Sequence, residues 1–146
     1  MPPRRCTKTH PLNRRRTEIG NTPPAGTTSS KTLASVAADT IAVIVFCAVG
    51  RRSHAEGLTV AGVAETAWPF LSGALIGWLL SRGWRHPTAL APTGLTVWLA
   101  TVIVGMVLRK ATSQGVAISF IVVASLVTAL LLLGWRAIAN ATRKSF

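Results

Sequence analysis

Long stretches without a charged side chain alternate with short basic clusters along this chain. Residues 32–50 contain one ionisable acid or base, Asp39; residues 66–81, 87–108 and 111–135 contain none. A bilayer core of about 30 Å takes roughly 20 mostly apolar residues in a helix. The pattern therefore predicts four transmembrane helices, at about 33–49, 60–80, 89–108 and 116–135. A helical bundle in water is the other reading of such runs. It is disfavoured, because uncharged helices of this length have no polar outer face. The uncharged part of the second span is slightly short, so this helix must start before Glu65 and hold that carboxylate near the interface. Its interior Pro69 removes one backbone donor and predicts a kink. Membrane helices tolerate this where neighbours satisfy the freed carbonyl.

Each span sorts into two faces at helical spacing. In the first, Ser35, Asp39, Ala42, Phe46 and Gly50 share one side, and Ile41, Ile44, Val45 and Ala48 cover the other. The second aligns Glu65, Pro69, Ser72, Gly73 and Gly77, and the third Gly94, Trp98, Thr101, Gly105 and Arg109. In the fourth, Ala117, Ala124, Ser125, Thr128 and Trp135 fall roughly on one side. Narrow small or polar faces beside broad apolar ones predict an all-α, integral membrane four-helix bundle. Gly73 and Gly77, spaced G-x-x-x-G, and Gly105 are the candidate helix-packing residues, because a missing Cβ lets a neighbouring backbone come close.

Composition sharpens this picture. The chain has 146 residues, of which 49% are hydrophobic and 14% charged, with a net charge of +12. A soluble domain usually carries about a quarter charged residues. Four acids and no cluster of His or Cys leave little material for a multi-carboxylate enzyme or a metal site, and neither a metal nor another cofactor is expected. Cys6 and Cys47 fall most of a membrane apart, which rules out a disulfide between them.

Seven of the sixteen Lys and Arg lie in residues 1–31, a Pro-, Thr-, Ser- and Arg-rich stretch without hydrophobic period. It reads as a disordered basic tail. Its charges can hold the segment on the cytoplasmic side or adhere to anionic lipid, and it resembles an organellar transit peptide in composition. Nucleic acid is not an expected partner, since no aromatic residue sits among these basics. Residues 32–138 read as the membrane domain and 139–146 as a short C-terminal tail. With both tails inside, twelve Lys and Arg fall on the inner side and four on the outer, so both termini are expected in the cytoplasm.

Five residues carry the candidate chemistry: Asp39, Glu65, Arg109, Arg51 and His54. An aspartate at this depth costs about 2.5–3.5 kcal/mol on insertion scales and must be satisfied. It is either a proton- or cation-handling carboxylate or a structural acid, bonded for instance to Arg82 or Arg85 reaching up from the inner loop. On the outer side, Glu65 can pair with Arg109 or Arg51. Arg51, His54 and Arg109 can instead form an anion or proton site, or all can be solvated headgroup contacts. Trp78, Trp84 and Trp135 suit an aromatic belt at the inner boundary. A weak internal echo, VIVFCAVGRRSHAEG against VIVGMVLRKATSQG, hints at two like-oriented hairpins.

Asp39, Phe46, Gly50-Arg51 with Ser53-His54, Pro69-Phe70, Gly77-Trp78, Gly94 with Trp98, Gly105 with Arg109, Phe120 and Trp135-Arg136 together resemble a bacterial membrane-protein family, Domain of Unknown Function 3054. The G-R-x-S-H segment is its most specific piece, and the likeness spans residues 33–136. The resemblance implies four membrane helices and a bacterial inner (plasma) membrane. It carries no activity or catalytic residue.

Three functions are consistent with these residues. The first is a structural or accessory subunit, associating with a second copy or another membrane protein through its small-residue faces, including Ala34, Ala38 and Ala42. The second is a small oligomeric transporter or channel using Asp39. An enzyme is the weakest, because no nucleophile–base pair or phosphate loop is present. The lipid bilayer is the one partner that all three share.

Overall fold

The computed structural model describes residues 26–53 and 57–145. Residues 1–25 of the predicted tail, with Cys6, and His54 of the predicted outer set lie outside the described residues. Four helices make up the fold: α1 (Gly26–Ser53), α2 (Val60–Ser81), α3 (Leu95–Ala111) and α4 (Ile118–Lys144). Four spans, Ser29–Arg52, Val60–Ser81, Leu90–Ala111 and Ile118–Arg143, are long and apolar enough to cross a membrane, the third including the residues just before α3. Among the described residues there is no strand. α1 and α4 run beyond the apolar windows into the stretches read as tails. Nothing in GTTSSK or AIANATRK stops a helix, and Arg143 in the last turn of α4 complements its C-terminal dipole. Hydropathy marks where the apolar run stops, not where the helix does.

The third span differs more. A continuous helix over 89–108 was expected, yet α3 starts at Leu95, behind an irregular turn at Leu90–Gly94 in which Ala91 is extended (φ −122°, ψ 139°). Pro92 is the cause: its ring pushes the preceding residue out of the helical region, and its nitrogen donates nothing. Gly94 N–H closes the turn on Ala89 O at 3.0 Å.

The helices form a ring in chain order. α2 packs most extensively on α3, α1 lies against α2 and α4, and α4 closes the ring on α3. The α2–α3 contact is close because Gly73 and Gly77 carry no side chain. A Cβ on Gly73 would come within 2.6 Å of Ala100 O, and one on Gly77 within 2.6 Å of Val97 Cα. Gly105 in turn receives the Phe70 ring, whose Cδ1 would lie 2.6 Å from an added Cβ. All three predicted packing glycines are used inside the chain.

Large apolar side chains cover the outside, among them Leu33, Ile41, Leu80, Ile103, Leu130 and Ile138, each more than half exposed. In water such a surface would drive aggregation; in a bilayer it is the lipid-facing coat. Of the α1 stripe, Ser35, Asp39 and Phe46 are buried and Ala42 and Gly50 half-buried, while Ile41, Ile44 and Val45 opposite are exposed and Ala48 is half-buried; Val43 and Cys47, outside the predicted stripe, are buried as well. The protein is an integral membrane four-helix bundle that crosses the bilayer several times.

Two side-chain clusters tie α1, α2 and α4 across the ring. Near one end Phe46, Phe70 and Phe120 meet, with Phe46 edge-on to Phe70 at 5.3 Å between centroids. Near the other, where α1 starts and α4 finishes, lies the charged centre described next. That end is called the terminal end below, and the end carrying the α1–α2 and α3–α4 loops the hairpin end.

Candidate functional site

Asp39 sits on the buried stripe of α1, 2% exposed, and four donors converge on it. Arg136 of α4 approaches it bidentately, Nη1 to Oδ1 and Nη2 to Oδ2, both at 2.7 Å. The indole Nε1 of Trp135 donates to Oδ1 and that of Trp78, from α2, to Oδ2, both at 2.9 Å. Each carboxylate oxygen therefore receives one guanidinium and one indole N–H. Arg136 Nη1 also donates to Leu132 O at 2.9 Å, and its Cζ lies 4.6 Å from the Trp135 ring centroid and 5.9 Å from that of Trp78. Arg136 is fully buried. A charge pair out of water is tolerable only when its geometry is good and its remaining groups are bonded. Here two rings supply both the extra donors to Asp39 and a cation–π wall, and Arg136 Nε is left buried without a hydrogen-bond partner among the described residues.

The surrounding chain seals this centre. α2 ends one turn past Trp78, in a left-handed cap at Arg82 (φ 49°, ψ 49°) whose N–H returns to Leu79 O. The chain then folds back so that Gly83 lies directly on the Trp78 ring, too close for any Cβ. Arg82 and Arg85, the expected partners of Asp39, are exposed on this loop. The partner is Arg136, and Trp78 and Trp135, expected at the interface, are donors to the buried carboxylate. Sequence reading missed Arg136 because it closes an apolar run and so counts as a flanking charge. The available signal was its setting: small and apolar residues continue after it, at Ala137, Ile138 and Ala139.

The hairpin end gathers the other candidates. Arg51 folds back over Gly62, donating from Nε to Gly57 O at 3.3 Å and from Nη1 to Thr66 Oγ1 at 3.2 Å. Arg109 donates to Gln114, with Nη1 on Oε1 at 3.1 Å and Nη2 on O at 3.4 Å, and its Cζ stands 4.7 Å over the Phe120 ring. Glu65 is exposed and is joined to Arg109 through its backbone. Gln114 Nε2 reaches Glu65 O at 3.5 Å, the carbonyl that Pro69 leaves without its helical donor. Gln114 thus joins the Glu65 backbone to Arg109, which is a different link from the expected carboxylate pairing, and Pro69 is carried within a continuous helix. Between α1 and α4, Phe46, Arg51, Thr66, Arg109, Phe120 and Val123 line an open cleft of about 460 Å³.

At the terminal end a second cavity, of about 400 Å³, lies among Lys31, Arg85, His86, Thr88, Asn140 and Arg143. Among the described residues no group of three His, Cys, Asp or Glu side chains converges as a metal site would require.

Fold and centre together define a multi-pass membrane protein built round one closed intramembrane ion pair. The chain belongs to the family described as "Protein of unknown function (DUF3054)", whose match covers residues 36–139 and so includes both Asp39 and Arg136. Searches of curated proteins and of solved structures returned no match.

Proposed function

We propose that this protein is a non-catalytic, structurally rigid membrane subunit that acts by association, as an accessory component of a larger membrane assembly. One observation carries the reading: both oxygens of Asp39, the acid a carrier would titrate, are held by Arg136 and two indoles in a closed site. A carboxylate that must load and unload a proton or cation needs a free lone pair and a path to water. This one spends its acceptor capacity on holding three helices together. The packing glycines are used internally, so a partner would be met through the apolar coat, above all on α4, the least covered helix.

The test is purification of the full-length chain in mild detergent, with cross-linking beforehand in intact membranes. A stoichiometric membrane protein, or a stable homo-oligomer, is the expected result. Recovery of monomer alone from both preparations would remove the accessory role.

The second reading is a small oligomeric transporter or channel. The hairpin-end cleft favours it, because Arg51 and Arg109 sit at its polar rim above an aromatic floor. Anion flux in proteoliposomes that is abolished by Arg109→Gln and kept in Arg109→Lys would favour this reading over the first.

We further propose a bacterial plasma membrane with both termini in the cytoplasm. Arg136 leaves the count of flanking charges, since it is buried against Asp39, and the inner side keeps its excess of Lys and Arg. A reporter fused after Phe146 should be active in the cytoplasm and silent in the periplasm.

A further inference from the structure

The cavity at the terminal end is lined by basic side chains from three different parts of the fold. Lys31 comes from α1, Arg85 and His86 from the loop after α2, and Asn140 and Arg143 from the last turns of α4. The loop is pinned to α4 at Thr88, whose carbonyl accepts from Asn140 Nδ2 and whose hydroxyl accepts from Arg143 Nη1, both at 3.1 Å. Those two bonds hold the cavity's wall in place. The side chains of Lys31, Arg85 and His86 make no hydrogen bond or ion pair with any described residue. Of the two described carboxylates, Asp39 is taken by Arg136, and Glu65 is at the opposite end. Two guanidinium groups and an ammonium therefore face one space with no described acid to neutralise them.

We propose that this cavity binds a phosphate group. A guanidinium fork matches two oxygens of a tetrahedral oxyanion, and an ammonium adds a point charge without a fixed direction. The site's depth suits the phosphate of a membrane lipid. Lys31 lies eight residues before Asp39 and Arg143 seven after Arg136, so the cavity is roughly 10–12 Å beyond the buried pair. That is where headgroups meet the ends of membrane helices, and basic pockets between helices hold anionic headgroups in this way. Further along α1 and α4 toward the buried pair, Leu33 and Ile138 are 68% and 67% exposed and offer apolar surface for acyl chains. Free phosphate has the same chemistry without that second contact.

The full-length chain in neutral detergent, titrated with dihexanoyl phosphatidylglycerol and separately with inorganic phosphate, tests the site by calorimetry and native mass spectrometry. Arg85→Gln with Arg143→Gln should weaken binding about thirtyfold, and Lys31→Gln alone about fivefold. Lys31 makes no hydrogen bond or ion pair with any described residue, so its variant separates lost binding from lost structure. Arg52→Gln with Lys110→Gln removes the same charge at the hairpin end and should leave binding unchanged. If inorganic phosphate at millimolar concentration displaces the lipid, free phosphate is the source; if it does not, the headgroup is. Binding of neither probe, or equal loss in both double variants, overturns the site.

Discussion

Asp39 and Arg136 are separated by 97 positions and joined by two parallel 2.7 Å bonds. This pair turns a polar residue that a membrane helix can hardly carry into the contact that closes the ring of helices. Removing either partner leaves an uncompensated buried charge, which costs about 3–5 kcal/mol. Asp39→Asn and Arg136→Met should each lower the melting temperature sharply in detergent. Asp39→Asn combined with Arg136→Met should cost much less than the two single losses added together, and strict additivity in that double-mutant cycle would refute the lock.

Trp78 and Trp135 give the same carboxylate one N–H each. Trp78→Phe and Trp135→Phe keep an aromatic ring and delete the donor, with an expected loss of about 1–3 kcal/mol apiece. A belt tryptophan at the lipid interface would lose far less on the same change. Chemical denaturation of the two variants in mixed micelles distinguishes these roles.

Gln114 and Pro69 are coupled through one carbonyl. Gln114→Ala should destabilise by about 1–2 kcal/mol, because Glu65 O loses its substitute donor and Arg109 loses an acceptor. Pro69→Ala restores the helical N–H to that carbonyl. In that background Gln114→Ala should cost less, and thermal melts of the four chains measure the coupling.

Gly77 faces the backbone of α3, and Gly134 faces open space. Gly77→Ala should force α2 from α3 and cost about 1–3 kcal/mol. Gly134→Ala meets nothing and should gain about 0.5–1 kcal/mol through helix propensity. Opposite signs in paired melting curves are the expected outcome.

Arg82 caps α2 in the left-handed region, where a side chain brings strain that glycine escapes. Arg82→Gly should stabilise the protein by about 0.5–1 kcal/mol. Loss of stability would instead mean that this guanidinium makes a contact worth more than the strain.

The number of helices, their lipid-facing sides and the packing role of Gly73, Gly77 and Gly105 were legible in the one-dimensional pattern. Such features depend on residues a few positions apart: apolar run length against bilayer thickness, and small residues at helical spacing. The need for a partner at Asp39 was legible for the same reason, since the cost of a buried charge is local. The partner itself was not. Which of nine bases outside residues 1–31 meets Asp39 depends on how α4 rotates and slides against α1. The start of α3 escaped too, because a proline early in an apolar run is equally compatible with a helix that begins before it. The cavity of Lys31, Arg85 and Arg143 shows the same division. Each base reads alone as a charge that orients a helix, and only the ring of helices, with a loop pinned to α4 at Thr88, brings them to one space.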